Sequence, residues 1–95
     1  MSKYEILENK LTKISKYIDE IGLQNEASIK YLCQYKDYVE KLILAVQKRT
    51  IRNSEGAVLG LIRGISDYDE ICADDMLWNL VTDADKYYSD ECKLF

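Results

Sequence analysis

Between Tyr4 and Val46 apolar residues recur every three or four positions, and the pattern breaks once, across Gly22-Leu-Gln-Asn25. No pattern in this chain restricts the fold more. A three-four spacing places side chains on one face of an α-helix and cannot serve a strand, whose faces alternate every two residues. Tyr4, Leu7, Leu11, Ile14, Ile18 and Ile21 form the first stripe, and Ile29, Leu32, Tyr35, Val39, Leu42 and Val46 the second. Helices are therefore expected over residues 2–21 and from 26 to 47 or 52, with Gly22 as a left-handed C-terminal cap and Asn25 as the next N-cap. Four linking residues force the two helices antiparallel. There is no proline in the 95 residues, so nothing in the sequence obliges either helix to kink.

The second half carries a weaker form of the same signal. Asn53 and Ser54 read as the cap of a third helix reaching Cys72, with Ala57, Val58, Leu61, Ile62, Ile65, Tyr68 and Cys72 on its apolar face. Asp74 and Asp75 open a fourth, whose buried face is Leu77, Leu80, Val81, Ala84, Tyr87 and Tyr88. The tail ends in Leu94 and Phe95, which are expected to dock. The expected fold is a single all-α domain over residues 1–95. It is a four-helix arrangement in which two shorter helices pack on a long antiparallel hairpin.

Three glycines interrupt the third helix at a spacing of four: Gly56, Gly60 and Gly64. An interior glycine costs a helix roughly 0.8–1 kcal/mol relative to alanine, so a row of them needs a compensating contact. Bare backbone lets another surface approach closely, and three partners fit that role. One is a neighbouring helix of the same chain, the second is another copy of the protein, and the third is a flat ligand. Arg63 borders the row and Asp67 continues it, so an anionic ligand would find a guanidinium there, with Arg52 further along the chain. Lys48, Arg49 and Arg52 also complement the dipole at the end of the second helix.

Eight tyrosines against one phenylalanine and one tryptophan favour an interface, since rings with a polar tip are enriched at binding surfaces. Tyr31 and Tyr38 form a pair one heptad apart on the flank of the second stripe. Charge is divided unevenly. Residues 1–66 hold 11 basic and 8 acidic side chains, whereas residues 67–95 hold 2 and 9. An acidic last third suits a protein partner with a basic surface, and the absence of a sustained basic stripe speaks against direct nucleic-acid binding.

Function classes narrow further by what is missing. Without histidine the usual zinc sites and the Ser-His and Cys-His catalytic pairs are excluded. Cys33, Cys72 and Cys92 lack CxxC spacing and read as free thiols of a reducing, cytoplasmic compartment. No uncharged run is longer than that of residues 56–62, far short of the roughly 20 residues that span a bilayer, and no signal-peptide segment opens the chain. Two DxxE pairs, Asp37 with Glu40 and Asp67 with Glu70, could together hold Mg²⁺ if their helices faced each other. Their arrangement is similar to the ExxE and ExxD pairs of the all-α, MazG-like nucleotide pyrophosphatases, although the order of Asp and Glu departs from that pattern. The resemblance implies metal-dependent nucleotide hydrolysis. On a helical wheel all four carboxylates point away from the apolar stripes, as on a solvated face.

The expected function is that of a non-catalytic, small acidic helical binding protein acting stoichiometrically. It would be of the inhibitor or adaptor type that phages and other mobile elements carry, self-associating through Gly56, Gly60 and Gly64, with no cofactor. The second expectation is sequestration of a small anionic, nucleotide-like ligand at a subunit interface. The third is pyrophosphohydrolysis through Asp37, Glu40, Asp67 and Glu70.

Overall fold

Each long helix starts where a side-chain oxygen satisfies the first orphan N–H groups. In the computed structural model, which describes residues 2–95, Ser2 Oγ accepts from the Glu5 amide and opens α1 (Lys3–Glu20). Asn25 Oδ1 accepts from Ala27 and Ser28 at 2.9 and 3.2 Å and opens α2 (Glu26–Gln47). Asp74 Oδ1 accepts from Leu77 at 2.9 Å and opens the last helix, α5 (Asp75–Glu91). Between them lie the short α3 (Leu61–Ser66) and a single turn, α4 (Asp69–Cys72). All the regular structure among the described residues is helical, as expected, and α1 and α2 are long and pack together.

Helix α1 is the central element, with α2 on one side and α5 on the other. Its stripe of Leu7, Leu11, Ile14 and Ile18 is buried between them. Leu32, Tyr35, Val39 and Val46 come from α2, and Leu77, Val81, Ala84 and Tyr88 from α5, to form one continuous core with Leu61, Ile65 and Ile71. Lys10 pairs with Asp83 on the α1–α5 side, and Tyr17 donates to the Asp74 carboxylate at 2.7 Å, tying α1 to the cap of α5. The hairpin turn is held from outside. Glu70 accepts from the Gln24 amide at 2.7 Å and from the Asn25 amide at 3.3 Å.

The third helix differs from expectation. Residues 53–60 are not helical, and the helix that follows ends at Ser66, so the described residues form five helical segments instead of four. Ser54 does cap something, but it is a turn: its Oγ accepts from Gly56 at 3.2 Å and its carbonyl from Ala57 at 2.8 Å. Gly56 (φ +93°) and Gly60 (φ +83°) are left-handed, a conformation that ends a right-handed helix and that glycine adopts without steric cost. The glycines thus punctuate a loop, and no helical stripe of three is formed. Gly22 is also corrected. Its φ is negative, and the C-terminal cap of α1 is Ile21 in an extended conformation, so no left-handed residue closes that helix. Phe95 docks as expected, stacking on Tyr4 with ring centroids 4.2 Å apart, whereas Leu94 is exposed.

Candidate functional site

Residues 48–60 join α2 to α3 without regular structure, a length at which loops in small domains are uncommon and usually functional. A loop of this kind leaves its backbone groups without ladder partners, and here side chains of two flanking helices supply them. Tyr38, Tyr35 and Tyr31 recur at intervals of three and four, so they share one face of α2. Each hydroxyl donates to a carbonyl of the passing segment. Tyr38 donates to Leu59 O at 2.7 Å, Tyr35 to Leu61 O at 2.8 Å, and Tyr31 to Gly64 O.

The N–H groups of the same segment turn to α5. Asp85 is 1% exposed, and its Oδ1 accepts from the amides of Leu59 and Leu61 at 3.0 and 3.3 Å while Oδ2 accepts from Ile62 at 3.0 Å. The carboxylate therefore caps α3 from another helix. That explains how Gly60, which has no side chain, can serve as the N-cap residue. A buried carboxylate is costly unless fully hydrogen-bonded, and three N–H donors at one helix start meet that requirement.

The rear of the loop is fastened separately. Tyr88 donates to Arg52 O at 2.7 Å, the Ser54 amide to Cys92 O at 2.8 Å, and Ser89 Oγ to Gly56 O at 2.7 Å. Burial holds the Tyr35 phenol well above its ordinary range, with the nearby Asp85 charge adding to the effect, and burial likewise raises Tyr31, Tyr38 and Tyr88. All four stay protonated donors across the neutral range.

Gly64 has a different role from the two loop glycines. A Cβ built there would stand 2.8 Å from Tyr35 Cε2 and 3.2 Å from Cδ2, so the missing side chain is what admits the ring. Close packing of the third helix against the second is thus realised within the chain at this one position. Tyr31, beside it, also stacks on Tyr68 at 4.1 Å.

The other residues singled out from the sequence are not gathered in one place. Arg63 and Asp67 are exposed on α3 and at its C-cap, and among the described residues neither forms an ion pair. Arg52 is exposed at the base of the loop. There it lines a shallow polar groove of about 570 Å³ with Tyr4, Thr50, Asn53 and Glu55. Arg49 is engaged by its own surroundings: it donates to Val46 O at 2.8 Å and lies over the Tyr4 ring at 4.4 Å. Of the four paired carboxylates, Glu70 holds the hairpin turn and Glu40 lies 3.8 Å from Lys36. Among the described residues no three aspartate, glutamate or cysteine side chains converge closely enough to hold a metal ion.

What remains outward at the clamp is apolar. Val58 is 57% exposed, and Tyr38, its hydroxyl bonded to Leu59 O, is 43% exposed. A separate, apolar groove of about 320 Å³ lies at the hairpin end between Ile18, Ile21, Leu23, Ile29 and Leu32. Asp85 carries a sequence signal of its own. Asp85 follows Val81 by four residues and Leu77 by eight, which puts a carboxylate inside a stripe of buried positions. Comparison with protein-family models, curated proteins and solved structures yields no match for this chain. Among the described residues no helix is long and apolar enough to cross a membrane.

Proposed function

We propose that this chain is a non-catalytic binding protein that acts stoichiometrically, holding a partner protein against Val58 and Tyr38 on the clamped loop. The observation that carries the reading is the treatment of Leu59. Its carbonyl is bound by Tyr38 and its amide by Asp85, while the side chain before it is left in solvent. An apolar side chain on a backbone already fixed loses little entropy on binding, as does a tyrosine ring whose hydroxyl is tied down. Glu55, exposed three residues before Val58 on the same loop, contributes a negative charge there. A partner offering an apolar recess with basic residues at its edge fits that chemistry. A second copy of the chain is the alternative occupant. The three free cysteines suit a reducing compartment.

The test compares tagged wild type with Val58→Asp and Met76→Asp. Met76 is 55% exposed, and nine residues of helix place it opposite Asp85 on α5. Wild type and Met76→Asp should retain the same partner in equimolar amount, and Val58→Asp should lose it. Retention by all three would refute the reading. If the wild type alone is a dimer and Val58→Asp a monomer by light scattering, the partner is a second copy.

Sequestration of an anionic ligand has one observation in its favour, the groove at Arg52, whose guanidinium is not engaged as that of Arg49 is. Native mass spectrometry of the purified protein, followed by Arg52→Ala and Arg63→Ala with Arg49→Ala as the control, tests that second reading.

A further inference from the structure

We infer that Asp85 is a latch: its carboxylate is the positioning group that keeps residues 57–62 in one place, and the segment can detach as a unit while α1, α2 and α5 stay assembled. The consequence for binding rests on the reading above, in which this segment presents Val58. The latch itself rests on geometry alone.

Three features support it. First, the two sets of bonds that hold the segment are unequal. On the α2 side three separate phenols each hold one carbonyl, whereas on the α5 side one side chain holds all three amides. Losing a phenol removes one bond, but losing the carboxylate removes three together. Second, left-handed residues precede the segment, at Glu55 and Gly56, and lie within it, at Gly60, where backbone rotation needs no helix to unwind. Third, between Glu55 and Gly60 the only side chain that is not exposed is Leu59, and it is partly buried, so the apolar surface that resists opening is concentrated at the fully buried Leu61 and the partly buried Ile62, the residues whose amides Asp85 holds.

Asparagine at this position tests the idea because it keeps the shape and reverses one bond. With Asn Oδ1 retained toward Leu59 and Leu61, Nδ2–H would face the Ile62 N–H, donor against donor. Amide exchange in Asp85→Asn should accelerate by about ten- to hundredfold at Leu59, Leu61 and Ile62, the range expected when charge-assisted bonds are lost. In the wild type these three amides should already exchange at least about tenfold faster than Leu11 and Val39, after correction for intrinsic rates, because they open without global unfolding. Glutamyl endopeptidase should cut the Glu55–Gly56 bond of the variant first and at least about tenfold faster. Asp90→Asn, on the exposed side of α5, should match wild type in both measurements.

Wild-type protection at the three segment amides equal to that at Leu11 and Val39 would overturn the latch, because Asp85 would then only support the global fold. So would unchanged exchange at the three segment amides. If Asp85→Asn fails to fold, exchange of the wild type in low denaturant decides the matter. The three amides should open together at a lower denaturant dependence than Leu11, and shared global opening would refute the inference. None of these measurements uses a partner, so loss of capture by Val58→Asp remains a separate result.

Discussion

The α1–α2 hairpin and the segment from 48 to 66 are held by opposite means. In the hairpin, backbone groups pair with each other along two long helices, and side chains have only to fill the space between them. In the segment, backbone groups pair with side chains: three tyrosines take carbonyls and one aspartate takes amides. The first arrangement depends on apolar volume and tolerates exchange of its polar residues. The second depends on named polar atoms, so single-atom changes should be felt most there and, in the hairpin, only at its caps and turn. The contrast also separates roles, since a region fixed by side chains can be rigid without presenting a regular helical surface.

The sharpest test of the contrast is removal of core volume. Leu11 is fully buried on α1, which packs against both α2 and α5. Leu11→Ala should cost about 2–5 kcal/mol in urea unfolding, with amide protection falling along α1, α2 and α5 while Leu59, Leu61 and Ile62, which open at Asp85, keep theirs. If the loop amides lost protection together with α1, the two regions would share one cooperative unit.

A smaller effect, confined to the junction between the regions, is expected at Gly64. An alanine there meets the Tyr35 ring at 2.8 Å, and that ring is buried and bonded to Leu61 O. Overpacking of this kind costs about 1–3 kcal/mol. Gly60→Ala meets nothing within 4 Å, and its penalty, about 1–2 kcal/mol, comes from φ alone. Tyr35→Phe should relieve neither penalty by itself. A Gly64→Ala, Tyr35→Leu double variant should recover part of the first and none of the second, measured as thermal midpoints.

The contrast also explains what could be read from the sequence. The hairpin, the Asn25 N-cap and the start of α5 follow from periodicity and capping residues, because the forces that made them are local in the chain. The loop was misread as helix because Ala57, Val58, Leu61, Ile62 and Ile65 carry a helical period. What overrides that period is non-local, a carboxylate 24 residues from Leu61 and phenols on the preceding helix. Spacing identified Tyr31 and Tyr38 as notable but could not distinguish a hydroxyl facing a partner from one facing a carbonyl of the same chain. The glycine row looked like one device and is two, a pair of loop hinges and one close approach.

Alkaline titration reaches the side-chain clamp selectively. The phenols of Tyr31, Tyr35, Tyr38 and Tyr88 are raised above their ordinary value of 10.0, burial being the first cause in each case. A raised acid stays protonated in the folded chain after its unfolded counterpart has ionised. Stability from these groups is therefore complete below about pH 10 and declines as the pH rises beyond it. Tyr35→Phe should lower stability at pH 7 by about 1–2 kcal/mol, because Leu61 O loses its donor, and should make the decline above pH 10 shallower. Unfolding by guanidinium at pH 7 and pH 10.5 measures both, and an unchanged slope would remove Tyr35 from the alkaline transition.

The smallest expected effect has the opposite sign and lies on the hairpin. Gly22 sits in the α1–α2 turn with a negative φ, and a Cβ there would meet nothing within 4 Å. Neither reason that holds glycine at the other positions applies: no left-handed backbone is required, and no ring needs the space. Alanine would narrow the conformations open to the unfolded chain without straining the folded one. Gly22→Ala should therefore stabilise by about 0.4–1 kcal/mol. The gain should appear equally in every amide that exchanges through global unfolding, and Leu59, Leu61 and Ile62, which open at the Asp85 latch, should gain nothing. A destabilised Gly22→Ala would mean that the turn needs the flexibility of glycine, and the hairpin would then resemble the loop more closely than its regular helices suggest.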